Sequence, residues 1–240
     1  MNAVDSEFRR NLSNEARRKI QIEKTELACK TGPLNRFSTG NFASLDVPNI
    51  REMLLKYYEE HYSANLMSLC LVGNHSIDTL EQYAIEHFSE VQNKDLVTTD
   101  FTKGDPLYDE TALGHIVKIV PVKDTKQLTI NWPQLPSAKY LWDANPVDYL
   151  SHVIGHEGKN SLLSELIKQD LASSLSSGSS ARCQYNFSSF SIGIQLTEKG
   201  VEHKDEVIRL VFAMINKIKR DEGPPKFIHE EKKAMSDINF

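Results

Sequence analysis

Val153-Ile-Gly-His-Glu-Gly-Lys-Asn-Ser-Leu-Leu-Ser-Glu-Leu166 is the stretch whose reading decides the fold. A glycine-bracketed polar turn, Gly155-His156-Glu157-Gly158, interrupts an apolar segment. Behind Ser161, the residues Leu162, Leu163 and Leu166 are spaced for one helical face. A polar break ahead of a fresh helix start leaves backbone N–H groups without internal partners, so it can receive a peptide backbone or an anion.

Upstream, Asn145-Pro146 starts a helix that runs into this turn. Before it, His115 to Val122 alternates as a strand. Gln127 to Trp132 reads as a second strand, ended by Pro133 and Pro136. Downstream, Ser173 to Arg182 is rich in Ser and Gly. Phe190, Ile192, Ile194 and Leu196 alternate strictly, as a half-buried strand requires, and Thr197 to Gly200 reads as a turn. Val207, Leu210, Val211, Met214, Ile215 and Ile218 predict an amphipathic helix. Gly223-Pro224-Pro225 breaks it, and a last helical segment begins at Phe227.

The first part of the chain predicts a similar mixture. Residues 5 to 28 have helical character, with Asp5 or Ser6 as cap, and Thr31-Gly32-Pro33 ends the segment. After Pro48-Asn49, the residues Met53, Leu54, Tyr57, Tyr58 and His61 predict one buried helical stripe. Leu66 to Val72 reads as a buried strand. Ser76 or Asp78 caps a helix from Ile77 to Phe88, with Leu80, Ala84, Ile85 and Phe88 facing inward. The polar, proline-containing run from Asn93 to Glu110 separates two modules. We therefore expect an α+β fold of two partial αβ modules, with antiparallel-rich sheets packed on helices. The modules span 1–100 and 113–240, joined by a linker at 101–112.

Composition narrows the function classes. With 240 residues, 40% of them hydrophobic, the chain buries a core of its own. A net charge of −5 and no basic run longer than Arg17-Arg18-Lys19 argue against nucleic acid as a partner. No apolar window reaches the roughly 20 residues of a membrane span. Met1 to Asp5 lacks the basic start and apolar core of a signal peptide. Cys29, Cys70 and Cys183 lie far apart and read as free thiols of a reducing, cytoplasmic compartment.

His156-Glu157 invites a metallopeptidase reading, but the spacing refuses it. H-E-x-x-H needs a histidine where Asn160 stands, and H-x-x-E-H occurs nowhere. His152 and His156 are four apart with Glu157 adjacent, yet Gly155 intervenes and the sequence offers no third ligand. No G-x-S-x-G, P-loop or G-x-G-x-x-G is present. Glu7, by spacing alone, is an ordinary first-turn acidic residue.

Several blocks in one order resemble the insulin-degrading-enzyme (insulysin) branch of the insulinase/pitrilysin zinc metallopeptidases. They are Asn2-Ala-Val-Asp-Ser-Glu7, Ser38-Thr-Gly-Asn41, Ser63-Ala-Asn-Leu-Met67, Phe88-Ser-Glu-Val91, Lys118-Ile-Val-Pro-Val122, Gly155-His-Glu-Gly158, Ser161-Leu-Leu-Ser-Glu-Leu166 and Leu196-Thr-Glu-Lys-Gly200. The resemblance runs nearly end to end and implies an internal piece, the end of a first domain and the start of a second. It makes Glu7 a zinc ligand. The other two ligands and the general base belong to an H-x-x-E-H that would lie upstream, so the chain alone is expected to have no peptidase activity.

The same resemblance casts Gly155, His156, Glu157, Leu175 and Ser177 as an exosite that anchors a peptide substrate by strand addition. Glu157 would face the terminal amine and Leu175 would give backbone contacts. The family pattern has glycine where Ser177 stands and Pro-Gly where Lys159-Asn160 stand. A purely structural helix–turn–helix remains the alternative for this region. For the whole chain, the alternatives to a piece of a peptidase are a noncatalytic peptide-binding or regulatory module associating with a full-length homologue, and a fragment with no independent role.

Overall fold

The computed structural model describes all residues except 33, 98–107, 109, 136–145, 180–187, 222–225 and 240. The chain divides into two compact units. One comprises Met1–Leu12 and Phe37–Lys103, the other Ser13–Arg36 and Gly104–Phe240.

In the first unit, α1 (Asn2–Asn11) is tied to α3 (Phe42–Leu45) through Asp5. Its carboxylate accepts the Phe42 amide at 2.9 Å and Arg9 Nε at 2.6 Å. The intervening α2 (Glu15–Ile22) belongs to the second unit. It is capped by Asn14 and runs into a π-turn at Glu23–Leu27. The first unit continues with α4 (Ile50–His61) and α5 (Ile77–Phe88), the latter capped by the Ser76 hydroxyl. Among the described residues this unit is helical, which makes the helix–strand–helix expectation wrong. Leu66 to Val72 forms no strand and is mostly exposed. The expected α4 stripe of Met53, Leu54, Tyr57, Tyr58 and His61 is exposed too. In α5, Leu80 and Ala84 are half-buried while Ile85 and Phe88 are exposed. Nor is residues 5–28 one helix capped by Asp5 or Ser6: Met1 is the N-cap, and Ser13 and Asn14 interrupt it.

The second unit carries the core. Strands β1 (Gln127–Leu135), β2 (Ala172–Ser179) and β3 (Ser188–Leu196) form an antiparallel sheet in the order β1-β3-β2. Ile130 pairs with Ile192, and Leu175 with Ile194. Between β1 and β2 lie α6 (Pro146–Ile154) and α7 (Leu162–Lys168). After β3 come α8 (Glu198–Glu202), α9 (Lys204–Arg220) and α10 (Lys226–Asn239).

The alternation in β3 puts Phe190, Ile192, Ile194 and Leu196 into one core with Leu162, Leu163 and Leu166 of α7 and Val207 and Val211 of α9. Each such buried side chain contributes roughly 1.5–3 kcal/mol of transfer free energy. α2 belongs to this unit because Lys19 Nζ donates to Thr129 Oγ1 at 3.0 Å, and Asn131 Nδ2 donates to Glu23 Oε1 at 3.1 Å.

Three sequence expectations need correction here. Residues 115–122 form no strand. Pro133 does not end β1, which runs to Leu135 with an irregular register after Trp132. Thr197–Gly200 is more than a turn, because the Thr197 hydroxyl accepts the Gly200 amide and so caps α8. The expected break at Gly223-Pro224-Pro225 lies outside the described residues.

Candidate functional site

An open cleft of about 500 Å³ lies in the second unit where the C-terminal end of α6 meets β2. It is lined by Ser151, His152, Gly155 to Gly158, Ser176, Ser177 and Glu231. The Gly155–Gly158 turn therefore forms one wall.

The local fold follows from small residues. α6 stops at Ile154, and the Gly155 amide still donates to the Ser151 carbonyl at 2.8 Å. A Cβ at Gly155 would come within 3.0 Å of both the Ser151 carbonyl oxygen and Ser177 Oγ, so glycine lets the helix end approach the strand. His156 Nδ1 then accepts the Gly158 amide at 3.0 Å, which places the proton of a neutral ring on Nε2. Ser161 restarts the chain as α7, its buried hydroxyl accepting the Ser164 amide at 3.1 Å.

The direction of the β2 backbone follows from one bond on the far side of the sheet. The Leu196 amide donates to the Lys126 carbonyl at 2.7 Å, toward β1. By the two-residue period, Ile194 and Ile192 direct their backbone groups to β1, whereas Gln195 and Gly193 direct theirs to β2. Ser176 opposes Gly193, while Leu175 and Ser177 oppose Ile194 and Ile192. Leu175 and Ser177 therefore turn their N–H and C=O groups away from β3, to the outer edge of the sheet. The Leu175 side chain is buried in the core, so only its backbone serves that edge.

Glu157 is exposed at the rim, and Gly155, His156 and Ser177 are half-buried in the cleft wall. Ser151, Ser176 and Glu231 are cleft residues that the sequence did not single out, and it offered His152 only as a metal-chelating partner of His156. His152 Nε2 lies 3.2 Å from Glu231 Oε2, and His156 Nε2 lies 3.8 Å from the same atom. Glu231 comes from α10, 79 residues beyond His152 in the chain. No local pattern could have announced it.

Glu7 lies exposed on α1, in the first unit. Among the described residues no group of three or more His, Cys, Asp or Glu side chains is arranged to hold a metal ion. Cys29 and Cys70 are free thiols, and Cys183 lies outside the described residues. Among the described residues no helix is long and apolar enough to cross a membrane.

Comparison with known proteins fits this architecture. The chain is 37% identical over 246 aligned positions to the insulin-degrading enzyme of Homo sapiens, covering 100% of this chain and 24% of that protein. It is 36% identical to the A-factor-processing enzyme of Saccharomyces cerevisiae, again across 100% of this chain and 23% of the relative. The chain thus spans about a quarter of the length of the curated relatives it matches. The crystal structure of pitrilysin superimposes with a TM-score of 0.88 at 24% identity, over 99% of this chain and 25% of that one, which supports the α+β fold. Residues 49–236 match the family model of the peptidase M16 inactive domain, and the chain belongs to that family, as a homologue of the insulin-degrading enzymes.

Proposed function

We propose that this chain is part of an insulysin-like zinc metalloendopeptidase that degrades small peptides, and that its second unit anchors a peptide by adding a strand to the outer edge of β2. The observation that carries this reading is the edge itself. Leu175 and Ser177 present backbone groups outward beside an open cleft, and the Gly155–Gly158 turn with exposed Glu157 stands at its rim. Main-chain bonds along the edge would give affinity independent of peptide sequence, and the Glu157 carboxylate would pair with a free amino terminus.

Residues 1–100 are then the end of a first, catalytic domain and 113–240 the start of a second, working in a reducing compartment such as the cytoplasm. Glu7 is one carboxylate ligand of a zinc site whose histidines this sequence does not supply. Neither H-x-x-E-H nor H-E-x-x-H occurs in the 240 residues, so the polypeptide alone does not hydrolyse peptides. The match to an inactive-domain family favours one second reading, a noncatalytic peptide-binding module that associates with a full-length homologue.

Anisotropy of a C-terminally labelled amphipathic peptide tests the anchor. The free-amine peptide binds the purified chain, and acetylation of the amine or Glu157→Ala weakens binding about tenfold. Unchanged affinity on both changes removes Glu157 from the site, and no binding at all removes the anchor. Zinc-dependent cleavage by the protease-free chain would overturn the claim of inactivity.

A further inference from the structure

We propose that Ser151 and Ser177 form a hydroxyl clasp that occupies the outer edge of β2 and restricts which part of it a peptide strand can use. The inference rests on the peptide-anchoring reading of the same cleft. Ser151 Oγ donates to the Ser177 carbonyl at 2.6 Å, and Ser177 Oγ donates back to the Ser151 carbonyl at 2.7 Å. Each hydroxyl thus serves the other residue's backbone, with the two oxygens 3.5 Å apart. The Ser177 carbonyl is one of the groups turned away from β3, so the Ser151 hydroxyl holds the acceptor that an added strand would need. Gly155 packs on the same pair, where a Cβ would stand 3.0 Å from both the Ser151 carbonyl oxygen and Ser177 Oγ.

The clasp has a defined consequence. A peptide strand pairs with the edge at Leu175, where the backbone groups lie outside this pair of bonds. At Ser177 the clasp leaves the N–H unengaged, but a peptide amide reaches the carbonyl oxygen from the outer side only by displacing the Ser151 hydroxyl that stands there. Ser151 is therefore a specificity-determining residue: it sets the register and length of the paired segment by occupying one acceptor. Removing its hydroxyl frees the Ser177 carbonyl and lengthens the usable edge by one bond. Removing the Ser177 hydroxyl leaves the carbonyl occupied.

The test uses the full chain and a short amphipathic peptide with a free amino terminus, together with a series N-methylated at one amide at a time. Ser151→Ala raises affinity about three- to tenfold, the worth of one exposed hydrogen bond, whereas Ser177→Ala changes it by less than about twofold. The wild type tolerates methylation of the amide opposite Ser177, and Ser151→Ala becomes sensitive there. Equal affinity and the same methylation pattern in wild type and Ser151→Ala overturn the clasp while leaving the anchor standing. Sensitivity opposite Ser177 in the wild type overturns it without any variant, so a folding defect in Ser151→Ala, checked by circular dichroism, does not shield it. Absence of peptide binding by both proteins overturns the anchor and the clasp together.

Discussion

Two glycines show what a single hydrogen atom contributes. Gly200 is buried in α8, and a Cβ there would stand 1.9 Å from the Leu171 carbonyl oxygen, far inside van der Waals contact. Backbone cannot step aside as a side chain can. Gly200→Ala is expected to cost about 3 kcal/mol through forced separation of α8 from the start of β2, read as a lowered urea midpoint at unchanged slope. A loss below about 1 kcal/mol would show that the segment relaxes freely. At Gly155 the neighbours are one carbonyl and one hydroxyl that can rotate, so Gly155→Ala is expected to cost less, about 1 kcal/mol by the same measurement. The sequence displayed Gly155 as half of a bracketed turn, and its place in the cleft wall was legible. Gly200 read only as the end of a turn, because the oxygen it must avoid lies 29 residues earlier, at Leu171.

Elements were legible where their own periodicity faced the core. Phe190, Ile192, Ile194 and Leu196 announced β3, and Ser161 before a leucine stripe announced α7. Ser161→Ala is expected to cost about 1 kcal/mol, since the Ser164 amide loses the buried Ser161 hydroxyl as its acceptor. By contrast, β2 is a run of serines whose only inward anchors are Ala172 and Leu175, so composition hid it.

The fastening of α2 was equally invisible, because it depends on a contact over a hundred residues long. Glu15 Oε1 accepts the amides of Lys123 at 2.8 Å and Val122 at 2.6 Å, and Arg18 donates to Oε2 at 2.9 Å. The Lys123 amide first, then Val122 and Arg18, hold the Glu15 carboxyl below its ordinary value of 4.5. A carboxyl depressed on folding contributes stability that is fully present above the ordinary value and is lost as pH falls through the folded one. Wild type is therefore expected to exceed Glu15→Gln in thermal midpoint at pH 7, with the gap closing below about pH 4.5. A gap that persists or widens in acid would count against this carboxylate as the fastening.

Across the whole molecule, burial is unevenly shared. The fully buried large side chains Ile154, Leu166, Ile192, Ile194, Val207 and Val211 all belong to the second unit. In the first unit, Leu54 is 61% exposed, Ile85 60% and Val72 93%, although each lies in a segment whose pattern reads as core-facing. The pattern failed there for a physical reason. An apolar stripe specifies that a face must be covered and says nothing of which residues cover it, and among the described residues nothing covers these.

The two units should then differ in local stability, which tracks the apolar contacts an opening must break. Native-state hydrogen exchange on the purified chain is expected to find its slowest amides in β3, α7 and α9, with α4 and α5 exchanging far earlier. A hydrophobic dye should bind before any denaturant is added, in proportion to the exposed stripe of α4. Replacing Met53, Leu54 and Tyr57 by polar residues should lower dye binding while leaving the protection of β3 intact. Amides of α4 as slow as those of β3, with no dye bound, would mean that this stripe is covered in solution and that stability is shared evenly after all.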